Sequence, residues 1–262
     1  MATHEKIHRD TVEYWRTVTA DNQPIDSRHP VPKLDVLSKY LSALNPVAGQ
    51  RVLDIGISFG RFVPLYLSLG LEIYGVDVDP LMISALRESF PGEALEVRHD
   101  RAEELSFADD MFDFVVCWGV FDELDQGPAL AEIARVLKNG GQLLFTGKNS
   151  NYHIDDKEAI VAEVAARSKK HPNYFTDLAA IDFDKFGLRV DMLTTFARRG
   201  DFAAGRSTTI SDLNAPFYEY LAIMRKMHLP EYDRRSAPAI SRNLSLTLAA
   251  NSPSNRSNDV TR

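Results

Sequence analysis

The chain has a single cysteine among its 262 residues, so no internal disulfide can form and no oxidising compartment is implied. No apolar run approaches the length a membrane helix needs, and the first stretch of sequence is polar, without the apolar core of a secretory signal. These absences predict a cytoplasmic protein with no membrane partner. Basic residues are also scarce: 30 Lys and Arg stand against 37 Asp and Glu, a net charge of −7. That balance speaks against a nucleic-acid partner, because binders of polyanions carry a basic face. No internal repeat is visible. Ser236 to Arg262 has no aromatic residue and is rich in Ser, Asn, Ala and Arg. Such a segment cannot bury enough surface to offset its ordering entropy, so residues 233–262 are expected to be a mobile tail, in which only Leu244 to Ala249 could dock locally.

What is present is an ordinary globular composition, 44% hydrophobic and 26% charged, on a chain long enough for a sizeable core. The spacing predicts helices over Glu5–Val18 and Lys33–Leu44, with prolines at 24, 30 and 32 between them. From Arg51 short apolar runs alternate with helical patterns. Strands are predicted at Arg51–Ile55, Glu72–Asp77, Leu95–Arg98, Phe112–Trp118 and Gln142–Thr146. Helices are predicted at Phe62–Leu69, Pro80–Phe90 and Ala129–Leu137, the last ended by Asn139-Gly140-Gly141 as a cap. Further helices fit Asp155–Lys169, Thr176–Phe186 and Ala215–Met227, with a late strand at Leu188–Phe196. Strands alternating with helices predict a doubly wound α/β fold, mainly parallel and covered on both faces. Cys117 falls inside the fourth strand and reads as a small buried hydrophobe.

The chemistry concentrates in Val52-Leu53-Asp54-Ile55-Gly56-Ile57-Ser58-Phe59-Gly60, a glycine loop between a strand and a helix. Glycines there let the backbone turn sharply and approach a ligand closely. Asp77 ends the next strand, where a carboxylate can accept both hydroxyl protons of a ribose. Dinucleotide sites use such an Asp too, but their loop is G-x-G-x-x-G, which Gly56 to Arg61 does not fit. The same residues spell G-x-S-x-G, the hydrolase nucleophile elbow. That element needs several strands before it, and no late Asp and His stand in suitable loops.

Asp54, Gly56, Ser58 and Gly60 instead resemble motif I of class I methyltransferases, an acidic residue followed by G-x-G-x-G, with Ser58 in place of the middle glycine. From Arg51 to Thr146 the order of elements resembles a type 11 methyltransferase domain. The resemblance implies a Rossmann-like, seven-stranded sheet that binds S-adenosylmethionine. It puts Asp77 on the ribose and Val78 beside the adenine. Asp100 would take the exocyclic amine, with Arg101 and Ala102 lining the ring, and Trp118 and Gly119 would border the methyl group. Phe107 to Asp113 and Ala134 to Gly141 match the family's turns into strands four and five, with Asn139 where proline is usual. The implied organisation is a helical cap over 1–32, a cofactor core over 33–147, and a remainder of the fold with acceptor-side loops over 148–232.

On the acceptor side, Asn149 to Asp156 follows strand five and offers polar, aromatic and acidic groups. They suit a polar small molecule, such as a sugar or nucleotide-linked sugar. His153 is a candidate general base, against a plain surface histidine. Asp155 and Asp156 could hold a divalent metal, but capping the following helix is the simpler reading, and no metal site is assigned. His171 to Asp177 could wall the same pocket or serve as a helix exit and cap. Tyr14 and Trp15 could close over the cofactor or pack on the sheet, and Lys169-Lys170 reads as a solvated helix end. Two rivals stand beside a methyltransferase: a non-catalytic partner protein that kept the fold, and a nicotinamide-dependent oxidoreductase. The sequence leaves the oligomeric state open.

Overall fold

The computed structural model describes residues 34–167 and 176–227. Contacts divide the chain into residues 1–228 and 229–262, and every described residue belongs to the first unit. The expected helix over Glu5–Val18, Tyr14 and Trp15, Lys169-Lys170, the loop from His171 to Phe175 and the tail lie outside the described residues.

In chain order the elements are α1 (Leu34–Ser42), β1 (Arg51–Ile55), α2 (Val63–Ser68), β2 (Glu72–Asp77), α3 (Pro80–Ser89), β3 (Leu95–His99), β4 (Phe112–Cys117), α4 (Gln126–Val136), β5 (Leu137–Lys148), α5 (Lys157–Arg167), β6 (Leu188–Phe196) and β7 (Glu219–Lys226). The strands form one seven-stranded sheet in the order β3-β2-β1-β4-β5-β7-β6. β1 to β5 run parallel, and β7 pairs antiparallel with both β5 and β6. The carboxyl ends of β1, β2, β4 and β5 and the start of β7 therefore share one sheet edge, where an open α/β sheet binds ligands.

Alternating strand residues feed two apolar layers. Leu53, Val115, Leu143 and Ala222 pack on one face, and Val52, Val116, Leu144 and Leu221 on the other. Cys117 is fully buried in the first layer, as expected. Pro64 sits in the first turn of α2, where its missing N–H costs nothing. Asp79 caps α3 by accepting from the Leu81 amide at 2.9 Å. Arg135 binds the carbonyls of Leu105 and Phe107, each at 2.8 Å, so the run before strand five staples the preceding turn.

Three expectations are corrected. Ala215–Met227 is no helix: Glu219–Lys226 is β7, flanked by a strand on either side. Phe217 to Met224 is buried almost without interruption, which suits a strand covered on both faces, whereas a surface helix would need a polar side. Asn139-Gly140-Gly141 does not cap a helix. α4 passes directly into β5 at Leu137, and the register jumps from Phe112↔Leu137 to Phe114↔Gln142, with Gly140 at φ +80° inside the excursion. Thr176–Phe186 forms two 3-10 turns, Leu178–Ala180 and Phe183–Phe186, stopped by the left-handed Gly187.

Candidate functional site

The glycine loop folds over the end of β2. The amides of Gly56 and Ile57 both donate to the Val76 carbonyl, at 2.9 and 3.1 Å. The Ser58 amide donates to Asp77 Oδ2 at 3.0 Å, and Asp77 Oδ1 accepts from the Asp79 amide at 2.9 Å. Asp77 is thus aimed and held by two backbone donors, with lone pairs left on each oxygen. Burial raises its pKa, while the Asp79 and Ser58 amides pull the other way. The second carboxylate oxygen of Asp79 is buried without a hydrogen-bond partner.

Gly56 and Gly60 are required by conformation and by space. Both have positive φ, +73° and +75°. A Cβ on Gly56 would lie 2.5 Å from Val120 Cγ2, and one on Gly60 would lie 2.3 Å from Leu86 Cδ1. Ser58 also adopts a left-handed φ of +49°, so the position that departs from the motif is strained. Ser58→Gly is expected to raise stability by about 1 kcal/mol by removing that strain. Thermal unfolding of the two proteins reads this directly, and an unchanged or lower Tm in the variant would refute it.

Asp54 is buried beneath the loop, and its described side-chain partner is the Tyr66 hydroxyl at 3.1 Å. Burial pushes its carboxyl up to about 7, against the stabilising bond from Tyr66. Along the edge toward β3, the His99 ring lies 3.0 Å from the Val78 carbonyl. Asp100 Oδ2 accepts from the amide and hydroxyl of Ser106, at 3.0 and 2.5 Å. The Arg101 Nε is buried and unbonded, 3.7 Å from Glu103. Ala102 packs its side chain into the core.

After β4, Trp118 is half-buried between Phe62 and Phe202, with ring centroids 5.4 and 5.7 Å away. Gly119 has φ +70°, and its amide donates to Thr146 Oγ1 at 2.8 Å, tying the end of β4 to β5. Past β5, much of the expected acceptor loop is committed internally. Asn149 is buried, donates from its side chain to the Asn151 carbonyl at 2.9 Å, and accepts from the Leu178 amide at 3.2 Å. The Tyr152 hydroxyl bonds Glu163. At the surface, Arg198 Nη2 donates to both carboxylate oxygens of Asp155, at 3.0 Å each. Asp156 caps α5 through the Ala159 amide at 3.0 Å, the helix-cap role anticipated for this acidic pair. Among the described residues no group of His, Cys, Asp and Glu could hold a metal. His153 is half-buried, and among the described residues its ring makes no hydrogen bond.

Sequence reasoning missed an ionised cluster at this same edge. Asp122, on the 3-10 turn Phe121–Glu123 after β4, accepts from the Lys148 amide at 2.8 Å and from its ammonium at 2.6 Å. Lys148 stands directly opposite Glu219 across the β5–β7 ladder. Burial lowers the Lys148 pKa, but Asp122 and Glu219 outweigh it and hold the ammonium charged. The available signal was a lysine closing a strand otherwise apolar from Leu143 to Phe145, since a lysine there needs a partner. A separate cleft of about 380 Å³ opens at the opposite sheet edge, around Asp113, Lys138 and Arg225. Its Lys138–Asp113 pair closes at 2.8 Å, and it is remote from the glycine loop.

Residues 53–145 match the family model described as a methyltransferase domain. An uncharacterized methyltransferase of Mycobacterium tuberculosis is 34% identical over 100 residues, 38% of this chain and 40% of that protein. A ubiquinone biosynthesis O-methyltransferase of Hahella chejuensis is 27% identical over 150 residues, 56% of this chain and 61% of the relative. The chain thus spans 40% and 61% of these curated relatives, less than two thirds of either. Among solved structures, a Haemonchus contortus phospholethanolamine N-methyltransferase in complex with phosphomonomethylethanolamine and S-adenosylhomocysteine superposes with a TM-score of 0.54. It is 20% identical, with 74% of this chain and 52% of that one covered, which is likeness of fold. Among the described residues no helix is long and apolar enough to cross a membrane.

Proposed function

We propose, for a chain whose residues 53–145 carry a class I, type 11 S-adenosylmethionine-dependent methyltransferase domain, that the whole protein transfers a methyl group to an oxygen or nitrogen of a polar small molecule. The observation that carries this reading is the Asp77 carboxylate, held by the amides of Ser58 and Asp79 beside two glycines whose Cβ positions are filled by neighbours. When bound, the cofactor supplies an electrophilic methyl on a sulfonium cation.

The chain's own residues then divide the work. Asp77 accepts from the ribose hydroxyls, and the loop from Gly56 to Gly60 presents backbone at close range. Val78 and the backbone of Arg101 and Ala102 lie along the adenine side. Asp100 keeps one carboxylate oxygen for the exocyclic amine, the other being held by Ser106. Asp54, whose burial disfavours its charge, regains a favourable environment beside a cationic ligand. Trp118 and Gly119 border the reacting methyl, and the rings of Phe62 and Phe202, edge-on and tilted against Trp118, make that wall apolar. In-line transfer asks chiefly for this alignment.

A sugar or nucleotide-linked sugar is the acceptor suggested by the loop after β5, where His153 is the group left untied to act as base. The strained Ser58 favours one alternative, a non-catalytic protein that binds the cofactor or a partner. Incubation with methyl-labelled S-adenosylmethionine and a cellular small-molecule extract separates the two. Label in an extract component is the expected result. Cofactor binding with label transferred nowhere would overturn the enzymatic reading.

A further inference from the structure

We propose that Glu219 is the group that binds and deprotonates the methyl acceptor, and that the acceptor is therefore a protonated amine. This rests on the methyltransferase reading above, but at that same site it sets an amine acceptor and the Glu219 base in place of the sugar hydroxyl and the His153 base.

The placement comes from the sheet. Leu221 and Ile223 of β7 lie in the apolar layer that holds Val116 of β4 and Leu144 of β5. With a side-chain period of two, Glu219, Trp118 and Lys148 leave the sheet on that face, at the carboxyl edge of β4 and β5. Lys148 and Glu219 are directly opposed in register, and Phe196 of β6 flanks Glu219 on its other side. Glu219 is half-buried, and among the described residues its carboxylate has no hydrogen bond or ion pair within 4.0 Å.

The charge balance then selects the ligand. Among the described residues, the charged groups that act most on Glu219 are Lys148, Asp122, Arg199 and Asp201. Lys148 is spent on Asp122 at 2.6 Å. Asp201 is spent on Arg206 at 2.7 Å, and Arg199 reaches the Glu158 carbonyl at 3.3 Å. Lys148 and Asp122 pair with each other, as do Asp201 and Arg206, and among the described residues none of these groups closes an ion pair on an ionised Glu219. Burial accordingly raises its carboxyl to about 7, against the pull of Lys148. An ammonium gives this carboxylate an ion pair, and a neutral hydroxyl does not.

The step balances. The Glu219 carboxylate takes one N–H proton from the acceptor ammonium. The freed nitrogen lone pair forms the new N–C bond as the S–C bond breaks, with its electron pair left on sulfur. A carboxyl that titrates near neutrality suits a base working at that pH.

The test uses the full chain with S-adenosylmethionine and a panel of ethanolamine, putrescine and glycine, with catechol and glucose as hydroxyl controls. Amine methylation is expected, with kcat/KM rising with pH through about 7 as Glu219 ionises. Glu219→Gln should cut that rate by roughly a hundredfold or more and remove the rise near neutrality. S-adenosylhomocysteine binding should be unchanged in the variant. Glu219→Asp, which keeps the charge, should recover part of the rate and guards against a folding artefact. Wild-type amine turnover in Glu219→Gln, or a wild type that methylates a hydroxyl control and no amine, would overturn the proposal while leaving the methyltransferase reading intact. A wild type that binds no S-adenosylhomocysteine would remove both.

Discussion

Asp77→Ala should weaken S-adenosylhomocysteine binding by about a hundredfold, a change of roughly 2.7 kcal/mol. The carboxylate does two things at once. In the proposed site its free lone pairs would receive the ribose hydroxyls, and hydrogen bonds to a charged partner contribute about 1.5–3 kcal/mol. Its bonds to the Ser58 and Asp79 amides, at 3.0 and 2.9 Å, also fix the glycine loop against the turn after β2. Alanine removes both, and those amides lose their acceptor. Asp77→Asn keeps the shape and one acceptor oxygen, so it should fall between wild type and Ala. Calorimetric titration reads the affinities, with circular dichroism to confirm folding. Wild-type affinity in Asp77→Ala would remove Asp77 from the site.

Lys148→Ala should destabilise the fold by about 3–5 kcal/mol, because it strands a buried charge. Asp122 is 1% exposed and takes both the amide and the ammonium of Lys148. Without the ammonium its carboxylate keeps one backbone donor and loses its counterion in a dry site. Urea unfolding measures the loss. Adding Asp122→Ala to Lys148→Ala should restore part of it, since the stranded charge goes too. A loss below about 1 kcal/mol, the range of exposed pairs, would mean that the pair is solvated and contributes little.

The glycine loop and its contact with the end of β2 were legible because their signals are local. Asp54, Gly56, Gly60 and Asp77 lie in two short stretches, and each has a conformational reason to be the residue it is. The strands at Arg51–Ile55, Glu72–Asp77 and Leu188–Phe196 were placed at their observed bounds for a related reason: turn residues bracket compact apolar runs. Legibility failed where non-local pairing decides. Leu221, Ala222 and Met224 are good helix formers, and only the slot between β5 and β6 makes them a strand. Gly140 and Gly141 look like a helix stop, yet they belong to a register excursion in β5, which only β4 reveals. The acceptor side suffered most. Asn149 and Tyr152 read as polar groups facing an acceptor, but Leu178 and Glu163 use them, and Asp155, read with Asp156 as a helix cap, instead pairs with Arg198. Lys148 and Asp122 stand 26 residues apart and meet only because β4 and β5 are neighbours.

If the cradle of Gly56, Ser58, Gly60 and Asp77 holds the methyltransferase cofactor, calorimetric titration of the full chain should show saturable binding of S-adenosylhomocysteine and none of reduced nicotinamide cofactor. Binding of the nicotinamide alone, or of neither, would show that the cradle does not serve this cofactor.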